Sequence, residues 1–488
     1  MQRKRYWFQV QLRRDESHWS RTRGLISIAA TASILLFGIS ALRAQAPTEQ
    51  TPPQEPSLQL VRPQSPNGTP PPAVLTLKDA LERARKFDAT YLSAATDAKL
   101  AHEDRVQARA AMLPNVSFTT QELLTAGNGV LPGGRYVTND GVHVYRSWGV
   151  FHQDLSPNTY LLHGYRRASA VQALAEDRAE IARRGLTVTV TKNYYGLVVA
   201  QRKYATAQEA RDQAEHYLTI SRDLEHGGEV AHSDVIKAEL QFEQQKQVFE
   251  EAQLAMENAR LALAVMLSGN LDENFSVVDD LSAAQPLPPF EEARSMAQQS
   301  NPELRAAVEA MRAASLDVSA ARSSFLPSIT VDTDYGIEAN SYALRSHVSS
   351  DAVPGRVLPN LGHFITAGLT LPIWDWGTLR SKLHQAQDRR ALARVQLSQA
   401  QRVAISDLYS FYNEALAARS ESATLHHAAE LAAESLRLVG LRYRAGESTA
   451  LELVDAQNAL TLARNADDDG QARYRVALAN LQTLTGSF

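Results

Sequence analysis

Apolar residues along this chain follow two rhythms that take turns. Over 75–112 and again over 290–323 they recur at helical spacing, as at Leu75, Leu77, Ala80, Leu81 and Ala84, and predict a helix in each stretch. Asn301-Pro302 reads as the start of a helical turn. Period-two runs follow. Ile329, Val331, Thr333, Tyr335 and Ile337 alternate with Ser328, Thr330, Asp332 and Asp334 over 328–337, and Ile365, Ala367, Leu369, Leu371 and Ile373 share one side of 363–373. Val116 and Phe118 alternate with Ser117 and Thr119 in the run 115–124, and a noisier run covers 142–155. Such alternation suits a strand with lipid on one face and water on the other, or a half-buried strand of a soluble sheet. Loops rich in Gly, Asn, Ser and Pro at 125–141 and 338–361 read as exposed tips.

Long helical stretches come next. Residues 378–439 contain no Gly and no Pro, and a helix of that length is about 93 Å long, more than a compact globule uses. A turn holding Gly446 follows, then a helix expected from about 450 to 485; the first half offers helices at about 160–225 and 233–268 around Gly227-Gly228. Leu186-Thr-Val-Thr-Val-Thr191 is strand-like by propensity, but the equivalent stretch of the second half is helical in composition, so a helix is expected here as well.

The two halves nearly repeat. Asp79-Ala80 answers Glu292-Ala293, Leu113-Pro114 answers Leu326-Pro327, and Gly164 with Arg167 answers Gly377 with Arg380, all 213 positions apart. Gly228-Glu229 and Ala238 answer Gly446-Glu447 and Ala456 at 218. The expected copies are 75–285 and 286–488, with helical hairpin tips near 226–232 and 444–449 and a seam at Pro286-Leu-Pro-Pro289.

The N-terminus has the layout of an export signal over 1–46. Arg3, Lys4, Arg5, Arg13, Arg14, Arg21 and Arg23 precede an apolar run from Gly24 to Leu42, and Ala44-Gln45-Ala46 offers cleavage after Ala44 or Ala46; an uncleaved anchor is the competing reading. Residues 47–74 form a flexible leader, with nine of the twenty prolines between 47 and 72. The first 46 residues hold eight basic and two acidic side chains, so the remainder carries a net charge of about −10 and is poorly suited to nucleic acid. Absence of cysteine excludes disulfides, thiol catalysis and zinc–thiolate sites. There is no P-loop, no G-x-S-x-G and no H-E-x-x-H, so neither an enzyme nor a cofactor is indicated. Asp467-Asp468-Asp469 reads as a solvated helix face rather than a metal site, and His426-His427 point apart. Trp148, Trp374 and Trp376 fit either a lipid–water boundary or a packed corner.

Four alternating strands are too few to close a barrel, and an open edge in lipid leaves backbone groups unsatisfied at several kcal/mol each. Other copies must complete the wall, and three copies make twelve strands. Signal peptide, tandem halves, paired strands between long helices, and glycine turns followed by acids together resemble the TolC-like family of outer-membrane efflux proteins. Leu369-Thr-Leu-Pro-Ile-Trp-Asp-Trp-Gly377 is similar to the family's strand-to-helix signature, and Tyr443-Arg-Ala-Gly446-Glu-Ser-Thr-Ala-Leu-Glu452-Leu-Val-Asp455-Ala456-Gln-Asn458 to its periplasmic hairpin.

The resemblance implies a mainly α fold with a small β part, forming as a homotrimer a 12-stranded outer-membrane β-barrel continued by a periplasmic α-helical barrel. It implies a passive exit duct of a tripartite efflux or type I secretion system in the outer membrane of a Gram-negative bacterium. Hairpin tips at Gly228, Glu229, Gly446 and Glu447 would dock a periplasmic membrane-fusion adaptor, which joins the duct to an inner-membrane pump of RND or ABC type. Glu452 and Asp455 would form a gate ring of carboxylates, and Asp234 and Tyr443 would belong to the closing network. Ser448 departs from the family, which can carry an arginine there. Glu452 has a second reading, as the third residue of a capping box begun by Thr449. The rival function is a periplasmic coiled-coil adaptor or scaffold without channel activity.

Overall fold

A computed structural model describes residues 73–486 except 125–142, 229, 269–274, 284, 340–341, 351–352 and 446. The expected export signal, the leader and the loop 125–141 lie outside the described residues.

Strand β1 (Ala73–Leu75) leads into helices α1 (Leu77–Phe87) and α2 (Ala89–Ala110). The single helix expected over 75–112 is therefore two, and Leu75 belongs to a strand. Asp88 makes the break: it ends α1 in an extended conformation, and its carboxylate accepts the Tyr91 N–H at 2.7 Å to start α2. Strands β2 (Asn115–Leu124) and β3 (His143–Asp154) follow, and the short helix α3 (Pro157–Tyr160) delivers the chain into α4 (His163–Gly227). Helix α5 (His232–Leu267) packs back along α4, and β4 (Phe275–Val277) pairs in parallel with β1.

Later elements come in the same order. α6 (Phe290–Ser300) and α7 (Pro302–Ser323) are again separated, here at Asn301, whose side-chain oxygen accepts the Glu303 and Leu304 N–H groups. β5 (Ser328–Ala339) is followed by a hairpin of β6 (Arg345–Ser350) and β7 (Val353–Pro359), so the stretch expected as a bare loop carries its own strands. β8 (Leu361–Thr370) stops before the expected Ile373, because Pro372 cannot donate to a ladder. α8 (Thr378–Arg444) and α9 (Ala450–Thr485) complete the chain. At 65 and 67 residues, α4 and α8 are each about 100 Å long.

The Thr-rich stretch is helical. Thr187 and Thr191 turn their hydroxyls back onto the carbonyls of Arg183 and Thr187, at 3.0 and 2.7 Å, satisfying within the helix the groups that otherwise favour a strand. The same segment carries the main core. Leu186, Val190, Tyr194, Leu197 and Val198 pack with Leu75, Leu263, Leu267, Phe275 and Leu281. The Tyr194 hydroxyl reaches the carbonyls of Leu75 and Val278, at 3.2 and 2.7 Å, tying α4 to the β1–β4 pair.

β2, β3, β5 and β8 form one antiparallel sheet in that order, which leaves β2 and β8 as edges. Residues paired across neighbouring strands share a face. One face carries Val116, Phe118, Phe151, Ile329, Val331, Tyr335, Ile365 and Leu369. The other carries Ser117, Thr119, Arg146, His152, Asp332, Asp334 and Glu338. Val116, Phe118, Ile365 and Leu369 are 65–72% exposed, so the apolar face lies bare on the single chain. Among the described residues no helix is long and apolar enough to cross a membrane.

Candidate functional site

Two helical hairpins end in turns that hold the predicted site residues. α4 closes on Gly228, whose φ of 76° is the left-handed cap that glycine adopts without a Cβ penalty, and its N–H returns to the Glu225 carbonyl at 2.9 Å. The tip is fastened by His232 Nδ1 against the Glu225 carboxylate at 2.7 Å and by a small core of Leu218, Val235 and Ala238 with Tyr217 and Phe242. Asp234 sits in the first turn of α5, where its negative charge suits the helix N-terminus, and it accepts from Lys237 at 3.1 Å. Glu229 lies outside the described residues.

In the second tip, Gly446 also lies outside the described residues. Around it, the Glu447 N–H returns to the Arg442 carbonyl at 2.9 Å, and the Arg442 guanidinium donates to the Glu447 carbonyl at 3.3 Å. Thr449 is the N-cap of α9, accepting the Glu452 N–H at 3.3 Å. The threonine half of the expected capping box is thus formed. The Glu452 carboxylate accepts from the Ser448 hydroxyl at 2.7 Å and stands 4.0 Å from Arg442. The Ser448 bond first, with Arg442 and Thr449 assisting, holds this carboxyl below the usual glutamate range. Asp455 follows three positions later, on the same side of the helix and exposed. Tyr443 is half-buried at the end of α8, and burial with Tyr217 nearby pushes its phenol up. Glu452, Asp455 and Glu447 are therefore gathered at one tip, and Gly228 and Asp234 at the other.

Of the Asp467–Asp469 run, only Asp469 is the solvated face the sequence suggests. Asp467 and Asp468 are 9% and 8% exposed. Successive helical positions point about 100° apart, so each acid meets a different partner. Asp467 receives His426 of α8 at 3.0 Å, Asp468 receives Arg202 of α4 at 2.8 Å, and Asp469 receives Lys203 of α4 at 2.7 Å. Burial pushes the Asp468 carboxyl up and Arg202 opposes it, while Asp467 beside His426 pushes the imidazole up. Sequence reasoning missed this belt. A signal was present: three consecutive acids in a helix must look outward in three directions, which asks for neighbours all round. His427 turns instead to Glu430 at 3.3 Å. Among the described residues no cluster of three or more His, Asp or Glu side chains suits a metal ion.

The three tryptophans divide. Trp374 and Trp376 are 76% and 88% exposed and touch edge to face at 5.6 Å, just past the end of β8. Trp148 lies on the polar face of the sheet, opposite Gly336 in the register, so it is not among the side chains of the apolar face.

Residues 293–487 match the family described as outer membrane efflux protein. The chain is 26% identical over 334 residues to the outer membrane protein OprJ of Pseudomonas aeruginosa, covering 65% of each, so the match spans just under two thirds of that relative's length. It is 24% identical over 422 residues to the outer membrane protein TolC of Vibrio cholerae, covering 84% of this chain and 90% of that one. The fold matches the CmeC outer membrane channel of Campylobacter jejuni with a TM-score of 0.69 at 18% identity, covering 84% of this chain and 85% of that one.

Proposed function

We propose, from the match of residues 293–487 to the outer membrane efflux protein family and the likeness to TolC, that the chain is a TolC-like outer-membrane efflux protein, three copies of which form a passive exit duct across the outer membrane and into the periplasm. The observation that carries this reading is the open four-stranded sheet. Among the described residues no further strand pairs with its edges β2 and β8, and side chains of its apolar face are exposed. In lipid both faults vanish when β2 of one copy pairs with β8 of the next, closing twelve strands with the apolar side outward and the polar side inward. The helical hairpins continue the wall, α4 and α8 being long enough to reach far into the periplasm.

The duct does no covalent chemistry; selection and energy belong to an inner-membrane pump of RND or ABC type. A periplasmic adaptor joins the two by docking on the hairpin tips at Gly228, Glu229, Gly446 and Glu447. Glu452 and Asp455, repeated threefold, line the periplasmic mouth, with Asp234 and Tyr443 in the contacts that close it. Where the family can place an arginine at Ser448, this chain has Arg442 beside Glu452 instead, within its own hairpin. That pairing steadies the tip without linking neighbouring hairpins. Planar-bilayer recording tests the reading: the purified protein conducts, and Glu452→Ala with Asp455→Ala lowers cation selectivity and divalent block. Absence of any conductance would exclude the duct, and unchanged selectivity and block would exclude the acidic ring.

A further inference from the structure

On the polar face of the sheet, three strands frame a recess of about 180 Å³. Register places Trp148, Gly336 and Gly362 in one row across β3, β5 and β8, and Val150, Asp334 and Phe364 in the next. The row beyond Gly336 on the other side holds Arg146 and Glu338. Two of the central positions therefore have no side chain. At Gly336 a Cβ would run into the Ser147 carbonyl and the Trp148 backbone and indole, so glycine here lets β3 and the indole come close to β5. Above Gly362 there is open space, which any larger residue would fill. Trp148 and Phe364 meet edge to face at 5.6 Å across β5.

β5 carries three acids on this face, and they are not equivalent. Asp332 is paired with His152 at 2.5 Å, and Glu338 with Arg146 at 2.8 Å. Among the described residues, no hydrogen bond or ion pair reaches the Asp334 carboxylate, although Asp334 is only 8% exposed and lines the recess. The carboxylate is thus free to meet a cation from the recess, and aromatic rings beside it attract a positive group. Arg146 lies 5.7 Å from the Trp148 ring but is held on the Glu338 side, away from Asp334.

We propose that this recess is a binding niche for aromatic organic cations, the ammonium seated against Asp334 beside the Trp148–Phe364 pair and the rest of the molecule over Gly362. It deepens the duct reading, on which it rests only in that the polar face lines the lumen; there the niche is a transit subsite favouring cationic aromatic cargo. The arrangement of a few convergent polar groups within apolar walls is what small-molecule sites use.

Calorimetric titration of the detergent-solubilised full-length protein with benzyltrimethylammonium tests it, with benzyl alcohol as the uncharged probe. The wild type is expected to bind the cation and not the alcohol. Asp334→Asn, which keeps the side-chain shape, should weaken binding on the order of tenfold, Phe364→Leu by several-fold, and Gly362→Val should abolish it. No measurable binding by the wild type, or equal binding by Asp334→Asn, overturns the niche. Oligomer size by light scattering shows that each variant is assembled, and Phe364→Leu keeps the question open to test if another variant fails to assemble. Conductance is read separately: a protein that binds the cation without conducting loses the duct and keeps the niche, and one that conducts without binding loses the niche alone.

Discussion

At the scale of single residues, Glu452 shows how one side chain serves two ends. Its carboxylate accepts the Ser448 and Thr449 hydroxyls at the start of α9 while presenting its charge at the hairpin tip. Thr449→Ala removes the cap, and the amides of the first turn of α9 should then exchange with solvent about five-fold faster by hydrogen-exchange mass spectrometry. The same residue has a pH signature. Its carboxyl is held below the ordinary glutamate value of 4.5, so its anion stabilises the folded tip above that value, and the contribution disappears as pH falls through the lowered one. Slow exchange at the tip should therefore persist from neutrality to about pH 5 and be lost in stronger acid, and Glu452→Gln should flatten that loss.

At the scale of elements, the spacing of α8 and α9 is set by small and charged groups together. A Cβ at Gly470 would come within 2.7 Å of Leu425 Cδ1, the far end of a flexible side chain. Gly470→Ala should be close to neutral, its gain in helix propensity offsetting the squeeze, whereas Gly470→Val should cost about 1–3 kcal/mol in urea denaturation. The acidic belt of α9 binds α4 across the bundle. Arg202→Ala would strand Asp468 in its buried position and should cost about 2–3 kcal/mol, part of which returns in the double variant with Asp468→Asn. On the other side, His426 faces Asp467 from α9 and Glu430 from its own helix. Its imidazole value is raised above 6.5, so the clip is fully present below pH 6.5 and weakens as pH rises through the raised value. The thermal-stability gap between wild type and His426→Ala should accordingly be larger at pH 6 than at pH 8.

At the scale of the whole molecule, the proposed closure of the sheet by neighbouring copies is open to a direct test. Because the chain has no cysteine, single introduced thiols report cleanly. Cysteines scanned singly in pairs, one from Ser117–Gln121 on β2 and one from Gly362–Thr366 on β8, should give covalent trimers on a non-reducing gel at one register. Monomers at every pair would mean that the edges do not meet. Much of this was legible beforehand. The alternation of Ile329, Val331, Tyr335 and Ile337 against Asp332 and Asp334 marks a two-sided strand, and the glycine-free run after Thr378 marks a helix far longer than a globule needs. The break at Asp88 was less visible, since an aspartate within a helical pattern looks the same whether it caps or faces water.

Local periodicity, capping residues and turn glycines are properties of neighbours along the chain, so the long helices, the four sheet strands and their order were legible in the sequence, whereas the break at Asp88, the β1–β4 pair and the β6–β7 hairpin were not. Partnerships between distant positions are of another kind. Arg202 finds Asp468 across 266 positions, and Trp148 on β3 finds Phe364 on β8 across the intervening strand β5. Packing alone set the burial of Asp467 and Asp468 and the pairing of all three acids of α9, the place of Trp148 on the polar face, and the lack, among the described residues, of a cation paired with Asp334. Burial and pairing depend on which surfaces the packed elements bring together, and no stretch of local pattern contains that information.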